Sequence, residues 1–174
     1  MRNGYALCTE PGLSAVDRRL ARLDERERSS LRALLRIGVH WNVEVTEDVQ
    51  AGHIVSQAFC SALPVSYTRI PADRWAAFAT LVLEGAYEAT MWATVLNSAQ
   101  SASNVVYLTE LGGGAFGNRS AWIHEALGRA LGVVRGLALD VRLVSYRAPG
   151  PGLTALAREF GGSTPQGRRS GTAR

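Results

Sequence analysis

Apolar positions in the second half of the chain fall into two kinds of stretch. Short runs rich in β-branched and aromatic residues cover 53–63, 105–109 and 139–145, and each is typical of a buried strand. Between them lie a long, almost uniformly apolar stretch at 71–98 and an amphipathic one at 121–131, both predicted to be helices. This alternation predicts an α/β fold, a three-layer α/β/α sandwich with a mostly parallel sheet.

Two charged stretches with helical spacing precede this core. Ser14 is predicted to cap the first helix, and a second helix is predicted over 25–37. Gly38 stands where the second helix needs a C-terminal cap. Residues 42–46 then alternate like an exposed or edge strand.

The positive charge of the chain is concentrated at its C-terminal end. The net charge is +4, and all 19 basic residues are arginine. Residues 147–174 contain five of these arginines against one acid, so the preceding chain is close to neutral. We predict an N-terminal helical segment at 1–38, an α/β core at 39–147 and a flexible basic tail at 148–174. Nucleic acid is not expected as a partner, because the folded part carries no charge excess.

The remaining composition indicates an ordinary globular protein. Hydrophobic residues make up 47% of the chain, and no apolar run approaches the roughly 18–20 residues of a membrane span. No secretory signal is evident at the N-terminus, and Cys8 and Cys60 are too few for a disulfide framework. The three histidines show no metal-ligand spacing. We expect a cytoplasmic protein with no cofactor, metal or membrane partner; the oligomeric state stays open.

The candidate site lies where the strand 105–109 ends. The chain there runs through Gly-Gly-Gly-Ala-Phe-Gly-Asn and enters the helix 121–131. Glycines let backbone amides approach a phosphate closely, and a helix N-terminus adds unpaired donors. Ser61 ends the preceding strand and is expected beside this loop, since parallel strands end at one edge. The predicted phosphate-binding loop consists of Gly112, Gly113, Gly114, Ala115, Phe116, Gly117 and Asn118.

Other interpretations of the loop remain open. Gly112, Gly114 and Gly117 satisfy the dinucleotide-binding pattern G-x-G-x-x-G. A Rossmann site also needs an acidic residue at the end of the next strand, whereas Asp140 lies at its start. A Walker loop is excluded, because no Lys-Ser/Thr follows the glycines. The glycines could also form a tight turn without any ligand.

Glu84 and Glu88 are the candidate catalytic residues. They stand four residues apart on an otherwise apolar helix, so their carboxylates share one face. Two stacked carboxylates repel each other unless each has a donor. They therefore either pair with arginines or backbone amides at a packing seam or form an acid/base or hydroxyl-binding pair at a site.

Residues 106–118, with Trp122-Ile123 and a closing strand at 144–146, resemble the second half of a macro domain. Macro domains are ADP-ribose-binding α/β/α folds, and the group related to poly(ADP-ribose) glycohydrolases has a similar Gly-x-Gly-Ala-Phe-Gly-Asn loop. The resemblance implies that the loop wraps the diphosphate, that Phe116 packs against a ribose and that Tyr146 contacts the adenosine half. It implies an ADP-ribose-type small molecule or an ADP-ribosylated substrate as partner, with hydrolysis of an ADP-ribose linkage as an open question.

Outside the loop and the closing strand, the chain resembles macro domains in the arrangement of its elements and not in sequence motifs. Macro domains carry an early Asn-Ala-Asn-type motif, and the glycohydrolases add a Gly-Gly-Gly loop followed by paired glutamates; residues 1–60 contain neither. The segments 3–6, 60–65 and 87–90 are typical of a longer bacterial group, which implies that this chain is a C-terminal part. The alternatives are a degenerate Rossmann-type dinucleotide-binding protein and a non-catalytic interaction module.

Overall fold

The computed structural model describes residues 4–46, 52–100 and 102–161, which form a mixed α/β fold with five helices and two small sheets. The helices are α1 (Glu10–Leu20), α2 (Glu25–Arg32), α3 (Ala76–Ala99), α4 (Ser120–Val133) and α5 (Pro151–Phe160). The strands are β1 (Gly38–Glu44), β2 (Ile54–Phe59), β3 (Val105–Leu108) and β4 (Asp140–Leu143). Two short 3₁₀ turns, Val65–Tyr67 and Ala72–Trp75, lie between β2 and α3.

The strands form two separate pairs. β1 and β2 are antiparallel, with Val39 opposite Ala58, whereas β3 and β4 are parallel, with Val106 opposite Val141. The α/β class is confirmed, but the described residues do not form the predicted mostly parallel three-layer sandwich. β2 pairs with the strand just before it in the chain, a local contact with a small loop-closure cost. No ladder joins β2 to β3 within the described residues.

The core is built around α3 and α4, the pair of helices with the most extensive contact. α3 is apolar on nearly every face, and such a helix is stable only when other elements surround it. α1, α2 and α5 cover it and α4 from outside, and β3 and β4 contribute partly buried residues. The largest fully buried side chains are Leu13, Trp75, Leu83, Met91, Ile123 and Leu127.

The first two helices form as predicted but with different ends. α1 is capped by Thr9 rather than Ser14, because the Thr9 hydroxyl accepts a hydrogen bond from the Gly12 amide at 3.2 Å. α2 ends at Arg32 and does not continue to Gly38, which instead begins β1. After α2 the chain lies close against α3, with Leu35 packed on Gly85.

Part of the segment predicted as a flexible tail is an ordered helix. α5 begins with Pro151, a favourable first helical residue, and it buries Leu153 and Leu156 against the same core as Leu13 of α1. Leu153 and Leu156 lie three residues apart, so they share one face of the helix. The Gly/Pro-rich composition around them led to the prediction of a flexible tail instead. Residues 162–174 of the predicted tail lie outside the described residues.

Candidate functional site

The glycine loop, residues 112–118, connects β3 to α4 at the edge where both β3 and β4 end. Gly112 and Gly117 have φ angles of 76° and 69°, the left-handed region in which a side chain is strained. A Cβ on Gly112 would also collide with Ala62, and one on Gly117 would lie 2.9 Å from the Cβ of Ser66. The turn and the close packing therefore explain these two glycines without a ligand.

Gly114 is different. It is exposed, its φ lies outside the left-handed region, and a Cβ added to it would meet no atom within 4 Å. Neither strain nor packing within the described residues therefore requires glycine at this position. The absence of a side chain does leave the loop backbone open to close approach from outside.

The loop amides fall into two groups. Those of Gly113, Gly117 and Asn118 donate to carbonyls at Glu110, Gly114 and Gly112, at 3.0–3.1 Å. The amides of Gly112 and of 114–116 have no hydrogen-bond partner among the described residues. A run of three consecutive free amides is the kind of backbone that accommodates an anion.

The segment after β2 contacts the loop from one side through Ser66. The Ser66 amide donates to the Phe116 carbonyl at 3.0 Å, and the Ser66 hydroxyl donates to the Ala115 carbonyl. A trans peptide unit directs its N–H away from its own carbonyl. Since the Ala115 carbonyl faces Ser66, the Phe116 amide points away from that segment. Ser61 itself is exposed, and its hydroxyl donates to the Ala62 carbonyl rather than to the loop.

An aromatic cluster of Tyr5, Tyr67 and Phe116 stands beside the free amides. The three rings meet edge to face, with centroids 5.2–6.0 Å apart. Tyr5 and Tyr67 keep more than a third of their surface exposed. The sequence indicated only Phe116, because three such distant positions have no spacing signal. Exposed aromatic faces of this kind can stack against a nucleotide base or pack on a sugar.

Asn118 links the glycine loop to the segment after β2 and does not cap α4. It is buried, and its side-chain amide donates to the carbonyls of Leu63 at 2.8 Å and Gly112 at 3.3 Å. The N-cap of α4 is Arg119, without a side-chain hydrogen bond to the helix. The first turn of α4 therefore adds open donors next to the free loop amides. The half-exposed Arg119 guanidinium forms an ion pair with Asp73 at 2.5 Å.

Glu84 and Glu88 lie in a cluster of ion pairs between helices. The buried Arg32 of α2 donates to Glu84 at 2.9 Å, and its Nε lies 3.9 Å from Glu88. Arg129 of α4 lies at the same distance from Glu88. This is the packing-seam arrangement, the first of the two alternatives. Within the described chain, neither carboxylate forms a hydrogen bond or ion pair with the glycine loop.

Tyr146 lies beyond the end of β4, at the same edge as the loop, but it is fully exposed. It makes no aromatic contact or hydrogen bond with any residue that the structure describes. The structure thus does not bring Tyr146 into contact with the loop, whereas it packs Tyr5 and Tyr67 against the Phe116 ring of the loop.

Two polar contacts at the entry to the loop had no sequence signal. The buried Tyr87 hydroxyl donates to the Thr109 carbonyl at 2.7 Å and accepts from the Leu111 amide at 2.8 Å, which ties α3 to the loop. Burial raises the pKa of the Tyr87 phenol. The Glu110 carboxylate and the His124 ring are also paired, at 2.9 Å, which links the end of β3 to α4.

No group of acidic, histidine or cysteine side chains in the described ranges is arranged to hold a metal ion. None of the helices in those ranges is long and apolar enough to cross a membrane. No protein-family model matches the chain, and neither the curated proteins nor the solved structures contain a significant match. The macro-domain resemblance therefore stays a prediction that rests on the loop and closing-strand residues.

Proposed function

We propose that the chain binds ADP-ribose or a related nucleotide diphosphate at the glycine loop. The observation that carries this proposal is the run of unpartnered amides at 114–116, beside Gly114, where an added Cβ would meet no described atom within 4 Å. A diphosphate is a strong acceptor for such amides, and the uncapped N-terminus of α4 adds positive potential. The free amides thus supply the interactions that a diphosphate needs.

The aromatic cluster supports the nucleoside part of the proposal. Tyr5 and Tyr67 offer exposed rings next to the diphosphate position, where a base or a ribose would lie. We assign this contact to the cluster rather than to the isolated Tyr146. Binding is proposed without assigning hydrolysis, because Arg32 holds the carboxylate of Glu84 and lies beside that of Glu88.

Calorimetric titration with ADP-ribose tests the proposal. We expect saturable binding by the natural chain and none by Gly114→Val, since the added side chain blocks approach to the amides. Gly132→Val is the matched control: Gly132 is also exposed, also has no atom within 4 Å of an added Cβ and lies in α4. Valine and glycine differ little in helix propensity, so this control should bind normally.

Thermal unfolding gives an independent measurement. At a concentration near 100 times the dissociation constant, a ligand raises the free energy of unfolding by about 2.7 kcal/mol. The natural chain and Gly132→Val should show this shift, and Gly114→Val should not. Equal binding by Gly114→Val, or no binding by the natural chain, would contradict the proposal. Binding of NAD without ADP-ribose would favour the dinucleotide-binding alternative.

A further inference from the structure

A cleft of about 1000 Å³ separates the two sheets. β2, with Val39, Trp41 and Asn42 of β1, forms one wall; β3 forms the other wall, and α3 forms the floor. The α3 residues on the floor, Tyr87, Thr90, Thr94 and Asn97, follow helical spacing and therefore share one face. The glycine loop contributes no lining residue, so the cleft is separate from the site proposed for the nucleotide.

The β3 wall presents unpaired backbone groups. The Asp140 and Val144 amides donate to the carbonyls of Asn104 and Leu108. In a parallel ladder alternate residues of a strand bond to the same neighbour, so the amides and carbonyls of Val105 and Tyr107 point away from β4. The Val105 amide is bonded to the Ser103 hydroxyl at 3.1 Å. The amide and carbonyl of Tyr107 have no partner among the described residues, which leaves them available on this edge.

The β2 wall is also an open edge. Val45 donates to the His53 carbonyl across the β1–β2 pair, so the backbone groups of Ile54 face the other side. The Ile54 side chain is 63% exposed, and Phe59 is 52% exposed. β2 reads Ile-Val-Ser-Gln-Ala-Phe and contains none of the charges or prolines that usually protect an edge strand.

The chemistry of the lining selects the occupant. Among the described residues, no Asp, Glu, Lys or Arg lines the cleft, so a charged ligand would find no counter-charge there. The hydroxyls of Thr90 and Thr94 already donate to carbonyls of their own helix. The lining also carries the side-chain amides of Asn42 and Gln57, and the Ser56 hydroxyl donates to Asn97 at 2.8 Å. The unpaired backbone groups on the strand edges form a row, and another polypeptide backbone is their natural complement.

We propose that an extended, uncharged segment of a separate polypeptide docks between β2 and β3 as an added strand and joins the two sheets. The length of β2 corresponds to a segment of about five or six residues, or roughly 17–20 Å. The face toward α3 would carry small or apolar side chains. A second copy pairing edge to edge through β2 would leave the β3 edge unpaired, so we favour an inserted strand.

Tyr107 allows a matched pair of variants. Tyr107→Pro removes the free edge amide without breaking a bond to β4, and a strand edge tolerates proline when its amide faces outward. Tyr107→Ala removes the same side chain, including its contact with Arg142, but keeps the amide. A difference between the two variants therefore reports the backbone group alone.

The experiment is a selection of displayed nine-residue random peptides against the intact chain. We expect binders that are uncharged and alternate apolar residues, that bind Tyr107→Ala normally and that lose at least tenfold in affinity for Tyr107→Pro. Bound peptide should slow deuterium exchange at the amides of Tyr107 and Ile54. N-methylation of alternate peptide amides should abolish binding, and this readout needs no variant of the protein.

Three results would overturn the proposal. The first is recovery of charged binders, or of none. The second is binding that survives N-methylation at every position. The third is protection of the Tyr107 and Ile54 amides from deuterium exchange in the chain without peptide, if this protection increases with protein concentration. That result would show that a second copy occupies the cleft.

Discussion

The two halves of α3 have similar composition but very different surroundings. Leu83 in the first half is fully buried by the neighbouring helices, whereas Leu96 in the second half is 58% exposed and Trp92 is 45% exposed. A helix that is apolar on nearly every face is expected to be buried along its whole length. The described residues complete the surroundings of the first half only. Neither Trp92 nor Leu96 lines the cleft, so the second half of α3 has an exposed face in addition to the face that forms the cleft floor.

The largest expected effect compares the same substitution in the two halves. Leu83→Ala should lower the free energy of unfolding by about 3 kcal/mol, because it leaves a cavity in a close-packed core. Leu96→Ala should change it by less than about 0.5 kcal/mol, since an exposed side chain loses little and alanine favours a helix. Urea denaturation measures both values. Similar values for the two variants would mean that something covers Leu96 as tightly as Leu83.

The next effect concerns the ion-pair cluster on the closed side. Arg32→Met keeps most of the buried stem but removes the hydrogen-bonded partner of Glu84 and one of the two arginines beside Glu88, so we expect a loss of about 2 kcal/mol. Arg142→Met removes an exposed pair with Asp140 and should have little effect on stability. If Arg32→Met were as stable as the natural chain, the packing-seam interpretation would be wrong, and a catalytic role for the two glutamates would need reconsideration.

The smallest effect lies at the boundary between the two halves. Tyr87→Phe removes one hydroxyl, which bonds Thr109 and Leu111, and should cost about 1 kcal/mol. Because burial raises the folded-state pKa of Tyr87, its contribution is complete below the unfolded pKa of about 10 and is lost as the pH rises above it. The natural chain should therefore lose more stability than Tyr87→Phe between pH 9 and pH 11. Parallel pH profiles for the two proteins would contradict this assignment.

Local patterns predicted most of the individual elements. The strand at 105–109, the helix at 121–131 and the strand at 139–145 are close to β3, α4 and β4. Their signals are short-range: β-branched residues, helical spacing and glycine punctuation. α5 was missed because Gly and Pro dominate the composition around Leu153 and Leu156. The end of α2 was also missed, since the chain leaves that helix where Leu35 packs on Gly85, a contact between distant residues.

Some features of the candidate site could be predicted from the sequence, and others could not. The sequence located the glycine loop and predicted that the segment after β2 lies beside it, on the assumption that β2 and β3 belong to one parallel sheet. Ser66 of that segment does contact the loop, but β2 pairs with β1 and not with β3. It did not distinguish Gly114 from Gly112 and Gly117, since φ and neighbouring atoms are properties of the folded chain. It also did not identify the aromatic cluster, whose members come from three separate segments.

The sequence alone determined the type and order of most elements, since propensity and hydrophobic period act over a few residues. Only the tertiary structure decided which strands pair, which loop amides remain unbonded and which face of α3 stays uncovered. Those outcomes depend on contacts between residues far apart in the chain, and several arrangements of the same elements satisfy the same local pattern.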